Sequence, residues 1–174
     1  PQEVKLKNPK RFVLTSAIGQ FYEEGYPTKE FTGELPPYER NNFKMVEPEL
    51  RIKWHNEWKK WCGNIPSFVF EYRFWTDMYC DLGYMRISKE THRDMKQLKK
   101  IGLQGCMNDQ THRMYMPTSL PCILMGEMLF DTDLDFECVT EEYFISAFGK
   151  DGVLCRGYLE TLSDLLCPAN FRKG

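Results

Sequence analysis

Apolar and polar positions run along the chain in blocks of differing period. Residues 11–18, "RFVLTSAI", form a short apolar, β-branched run that reads as a buried strand. A long loop follows, carrying Gly25, Pro27, Gly33, Pro36 and Pro37. Loops of that length in compact domains are usually functional or mobile. In "PELRIKWHNEWKKWC", Leu50, Trp54, Trp58 and Trp61 recur at the spacing of one helical face, which predicts a helix near 48–62. Pro48 suits its first turn and Gly63 its C-terminal cap. The Trp stripe reads as core packing rather than a binding platform. Next, Val69, Glu71 and Arg73 alternate with Phe68, Phe70 and Tyr72, a strand near 67–74. A polar, aromatic loop leads to Ser88, a candidate cap for a helix near 88–101. Met95, Leu98 and Ile101 share one face of it, Lys99 and Lys100 suit its C-terminal end, and Gly102 stops it. A strand near 103–108 follows.

Strand, loop, helix, strand within about 40 residues is a βαβ unit, which implies parallel strands and a right-handed crossover. The remainder reads as helices near 119–130, 139–149 and 152–167. The first opens at Ser119, and Asp133 or Asp135 supplies the turn and cap before the second. The second has Val139, Tyr143, Phe144 and Phe148 on one face, the third Leu154, Tyr158, Leu162, Leu165 and Leu166. The pattern is α/β, and 174 residues with 42% hydrophobic content suit one domain over 1–174.

Charge removes some partners. The formal net charge is -2 with no basic stripe, so a nucleic-acid partner has no electrostatic support. No apolar run approaches the roughly 20 residues that span a bilayer, and none resembles a signal peptide, so neither a membrane nor a secretory route is expected. The 7 cysteines are widely spaced with no C-x-x-C, which argues against zinc and for buried, reduced thiols; no cofactor is implied, and a cytoplasmic location is expected. The chain begins at Pro1 rather than Met, and the expectation is a processed or excised piece.

Two stretches carry a resemblance. "KKIGLQGCMNDQT" and then "LPCILMGEMLFDTDLDFECVTEEYFISAFGKDG" resemble the late part of a TIM-barrel glycoside hydrolase. More narrowly they resemble a bacterial family of unknown function related to the α-glucuronidases and β-hexosaminidases. Its "L-x-W/F-D-x-D-L-D" turn is matched by Leu129, Phe130, Asp131, Asp133, Leu134 and Asp135. Its following helix is matched by Glu142, Phe144, Phe148 and Gly149. Relatives often carry Trp where Phe130 stands here, a change of packing rather than of chemistry. The likeness runs from about Arg11 to Leu166 and implies a carbohydrate ligand. In such proteins the aspartates of this turn are structural. A whole barrel needs about 250 residues, roughly 200 at minimum. The expected fold is therefore the C-terminal part of a (β/α)8 TIM barrel with parallel strands plus C-terminal helices. The missing N-terminal part of the barrel is then a further partner.

Barrel enzymes place their sites at the C-terminal ends of the strands. Here that singles out Ser16 to Glu24, Glu71 to Asp81 and Asn108 to Arg113. Glycoside hydrolysis uses one carboxyl as proton donor and a second as nucleophile or water activator. Glu71 and Asp109 are the candidate catalytic pair. Burial inside a strand raises a carboxyl's pKa, as a general acid requires. The plainer use of Glu71 is a pair with Arg73 or a lysine, that of Asp77 and Asp81 is capping, and that of Asp109 is a turn. His112 reads as a solvent-exposed loop side chain. Tyr22, Tyr26, Trp75, Tyr79, Tyr84 and Tyr115 fall in the predicted loops, where aromatic faces stack on sugar rings. Trp75, Asp77, Tyr79, Tyr84, Arg73 and Tyr22 form the expected substrate-binding set. The alternative is a non-catalytic carbohydrate-binding or scaffold barrel, because fold alone does not choose a function.

Overall fold

A computed structural model describes residues 5–17, 25–36, 48–72, 74, 81–109 and 114–166. The chain forms two compact units. The first comprises Pro1–Glu71 with Gln97–Met107, the second Tyr72–Lys96 with Asn108–Gly174.

The first unit holds a small parallel sheet. Strand β1 is Leu14–Ser16, β2 is Ser67–Glu71 and β3 is Cys106–Asn108, in the order β1-β2-β3. β1 is shorter than the apolar run that suggested it. Pro9 opens a 3-10 turn over Pro9–Arg11, and the Phe12 amide donates back to the Pro9 carbonyl at 3.0 Å. β1 and β2 pair Leu14 with Ser67, Thr15 with Phe68 and Ser16 with Val69. Toward β3, the Gln104 amide donates to the Ser67 carbonyl at 2.8 Å and the Val69 amide to the Gly105 carbonyl at 3.2 Å.

Helix α1, Pro48–Trp61, joins β1 to β2. Gly63 ends it at φ +90°, with Asn64 N donating to Lys59 O at 2.9 Å and Gly63 N to Lys60 O at 3.0 Å. This is a Schellman cap, which needs the left-handed residue that glycine supplies without a Cβ penalty. The same pair of bonds recurs at Gly102, at φ +89°. There Leu103 N meets Leu98 O at 2.9 Å and Gly102 N meets Lys99 O at 3.3 Å. The deepest face of α1 departs from expectation. Leu50, Ile52 and His55 are buried, whereas Trp54, Trp58 and Trp61 are half-buried. Two stripes compete on this helix, and the indole rings are too large to be enclosed beside a three-stranded sheet.

The second unit is helical. Helix α2 is Met85–Gln97, its last residue opening the second stretch of the first unit; α3 is Leu120–Phe130, α4 is Phe136–Phe148 and α5 is Gly152–Leu165. Met85, Leu120, Leu124, Phe144 and Leu159 form its core, flanked by Phe136, Val139, Tyr143, Phe148, Cys155 and Leu162. Phe144 stacks on Phe148 at 5.6 Å and meets Tyr143 edge-on at 5.4 Å. The Tyr143 hydroxyl takes bonds from the Ser119 amide at 3.0 Å and the Thr118 hydroxyl at 2.9 Å, which ties α4 to the start of α3. Asp135 caps α4 by accepting from the Glu137 and Cys138 amides at 2.9 and 3.1 Å. Those bonds, that from Cys138 foremost, hold its carboxyl below the usual carboxylate range. The Asp131 carboxylate accepts from the Asp133 amide at 2.9 Å, closing the turn before it.

Two expectations fail in this unit. Ser88 does not cap α2. The helix begins three residues earlier, and the buried Ser88 hydroxyl donates to the Tyr84 carbonyl at 2.6 Å. A serine inside a helix bonds the preceding turn as readily as it caps one, so its side chain alone does not fix the start. Asp81 instead accepts from the Ile87 amide at 2.9 Å. The apolar face predicted for α5 is turned inward only in part. Leu162 packs against the core, but Leu154, Tyr158 and Leu165 are exposed, and Gly152, Leu159 and Ser163 are buried. Gly83 explains the choice. A Cβ there would collide with the Leu159 carbonyl and the Ser163 side chain. The turn before α2 therefore lies against α5 at these small residues, and Ser163 accepts from the Met85 amide at 3.1 Å.

Candidate functional site

Glu71 is the last residue of β2, the central strand. It is 2% exposed and accepts a hydrogen bond from the Tyr26 hydroxyl, itself buried. Tyr26 sits in the long loop between β1 and α1, so that loop folds back over the strand end. The burial pattern of β2 alternates strictly: Ser67, Val69 and Glu71 are buried, Phe68 and Phe70 half-buried. Register tells which way each set faces. Ser16 is paired with Val69, and residues paired in a parallel ladder share a face. The Ser16 hydroxyl lies 2.8 Å from His55 Nδ1 on α1. Glu71 thus looks to the side covered by α1, with Ser67 and Val69. The opposite side carries exposed Thr15 and the two half-buried phenylalanines.

His55 is a polar feature that the sequence did not single out. It is 4% exposed, and its Nε2 is enclosed without a hydrogen-bond partner. Burial, reinforced by the nearby Lys59 charge, pushes its pKa down to about 4. The ring is therefore neutral at physiological pH and weakly basic. The signal for it was the spacing Pro48, Ile52, His55 and Cys62, a second helical stripe beside the tryptophans.

The remaining candidates fall in several places. Asp109 is half-buried in the turn directly after β3 and belongs to the second unit. Tyr84 is 4% exposed at the start of α2, not on an open rim, and its backbone is left-handed at φ +60°. That conformation is strained for a bulky residue. Of the further aromatics, Tyr115 is exposed. Arg73, Trp75, Asp77, Tyr79 and Tyr22 lie outside the described residues, as does His112. Glu71 and Tyr26 are thus brought together, while Glu71 and Asp109 belong to different compact units.

Among the described residues, no group of three His, Cys, Asp or Glu side chains gathers as a metal site. Cys62, Cys138 and Cys155 are free thiols. Burial pushes the Cys122 thiol up to about 11, which keeps it protonated and unreactive. No helix among the described residues is long and apolar enough to cross a membrane. Comparison with known proteins finds no matching family model, no matching curated protein and no matching solved structure.

Proposed function

We propose that the chain is the C-terminal part of a (β/α)8 barrel of the glycoside-hydrolase kind, one that engages a carbohydrate at the C-terminal ends of its strands. The observation that carries this reading is Glu71, a carboxyl at the end of the central parallel strand, bound by the Tyr26 hydroxyl from the preceding strand's loop. A phenol hydroxyl fixes the carboxyl's orientation, and a general acid must be held in place to reach a glycosidic oxygen. The sheet supports a larger assembly. Parallel strands are normally covered on both faces. Here Thr15 is exposed, and Phe68 and Phe70 are only half-covered, on the side away from α1.

A second reading, a non-catalytic carbohydrate-binding or scaffold barrel, is favoured by a different observation. Glu71 is 2% exposed and shares the α1-facing side with Val69, where a substrate has little access. The two readings separate in one experiment. A panel of aryl glycosides and glucuronides is offered to the longest natural chain containing this sequence and to its Glu71→Gln variant. Aglycone release that vanishes in the variant, with sugar binding retained by calorimetry, supports the enzyme. Binding without release in either protein supports the scaffold. Neither release nor binding removes the carbohydrate reading altogether.

A further inference from the structure

A cleft of about 280 Å3 opens in the first unit, between the loop at 27–31, α1 and the segment 97–101. Its walls are fixed. The Asn56 side-chain amide donates to the Ile101 carbonyl at 3.2 Å and the Lys59 ammonium to the Gly102 carbonyl at 2.7 Å, binding α1 to the third wall. Lys53 reaches Glu30 at 3.5 Å, which ties the loop to α1. The floor is apolar, made by Pro27, Ile52 and Ile101, all buried, with half-buried Phe31 beside them.

The rim decides the ligand. It carries Lys29, Lys53 and Lys100 against Glu30 and Glu49. Lys53 and Glu30 offset one another. Glu49 stands in the first turn of α1, where the helix dipole already favours its charge. Lys29 and Lys100 remain exposed, and neither has an ion-pair partner among the described residues. Thr28, Asn56 and Gln97 add groups suited to hydroxyls. Drug-sized ligands occupy pockets of roughly 300–1,000 Å3, so this one suits something smaller. A peptide or nucleic-acid segment is too large to be enclosed by it.

We propose that this cleft binds a small anionic ligand of monosaccharide size, its ring on the apolar floor and its carboxylate or phosphate met by Lys29 and Lys100. The inference does not rest on the reading of Glu71, which is not among the lining residues. A ring that covers Phe31 and Ile52 gains from leaving water, and the anion gains two charge-assisted bonds. Neither fragment alone gains both.

Titration calorimetry at low salt tests it, with glucose 6-phosphate, galacturonate, inorganic phosphate and glucose as the four probes. One of the two anionic sugars binds at least about tenfold more tightly than both phosphate and glucose, and raised salt weakens it. Whichever is tighter names the anion. Lys29→Ala with Lys100→Ala weakens that binding about tenfold or more while far-UV circular dichroism is unchanged. Glu71→Gln leaves it unaltered, so a failed hydrolysis assay and a failed cleft give different results. Absence of binding by both anionic sugars, equal binding of neutral glucose, or unchanged binding by the double variant would each overturn the proposal.

Discussion

The two compact units close their interiors by different means. In the first, side chains pair with one another beside the sheet: Tyr26 with Glu71 and His55 with Ser16. In the second, the centre is hydrocarbon and aromatic, with Leu120, Leu124, Phe144 and Leu159 gathered around Met85. Buried polar groups lie there too, but Asp81, Ser88 and Ser163 meet backbone: the Ile87 amide, the Tyr84 carbonyl and the Met85 amide. The difference is one of geometry. On a strand, a polar residue turned to the covered side has its own backbone committed to the ladder, so its side chain needs a partner from another element. At a helix start, free backbone amides lie close enough to satisfy a buried Asp or Ser. The His55 pair makes the first unit sensitive to charge, and the aromatic cluster makes the second sensitive to volume.

The largest expected effect falls on the hydrocarbon side. Phe144→Ala removes a fully enclosed ring that stacks on Phe148, and it costs about 3–5 kcal/mol in a denaturant titration. A loss under about 1 kcal/mol would mean that the second unit is not held by this cluster.

A smaller effect, and one of opposite character, belongs to the first unit. His55 is disfavoured as a cation in the fold, with a pKa near 4 against 6.5 in an ordinary setting. The unfolded chain therefore takes up the proton first as pH falls. The stability this group contributes is present above pH 6.5 and is lost as pH falls from there to about 4. The loss is about 2 kcal/mol once solvent screening is allowed for. Three of the four tryptophans, Trp54, Trp58 and Trp61, lie in this unit, so indole fluorescence reads mainly this unit. His55→Asn should flatten the pH dependence of the fluorescence-monitored midpoint. An unchanged slope would assign the effect to other groups.

The smallest effect is the most diagnostic for α5. Tyr158 is 63% exposed, although its spacing marked it as core. Tyr158→Ser should shift the midpoint by less than about 0.5 kcal/mol, whereas loss of an enclosed aromatic would cost several times as much. A cost above about 2 kcal/mol would restore the face read from periodicity.

Much of the framework was legible along the chain. Gly63 and Gly102 announced two helix ends because only glycine takes the left-handed step of a Schellman cap without cost. The strict alternation of Ser67 to Glu71 announced a strand, and Asp133 or Asp135 the cap of a helix, which the structure gives to Asp135. The parallel pairing was also foreseen, since a strand, a helix and a strand in sequence leave few arrangements. The side each stripe would face was harder. On α1, His55 with Ile52 competes with the tryptophans, and on α5, Leu159 with Ser163 competes with Leu154 and Tyr158. Both stripes have helical spacing, so periodicity alone ranks them by bulk.

The site divided in the same way. The candidate carboxyl at Glu71 was visible as a charged residue closing an apolar strand. Its hydroxyl partner was not, because Tyr26 lies 45 residues away and only the folding back of the loop joins them. The lysine-rimmed cleft was also invisible, since a lysine on a helix normally reads as solvated surface. Local backbone chemistry therefore determined where elements start and stop, as it depends on neighbours a few residues apart. Which face is buried, which carboxyl meets which hydroxyl, and which charges surround a hollow were decided by the tertiary structure. Those outcomes depend on distant segments competing for the same limited buried area.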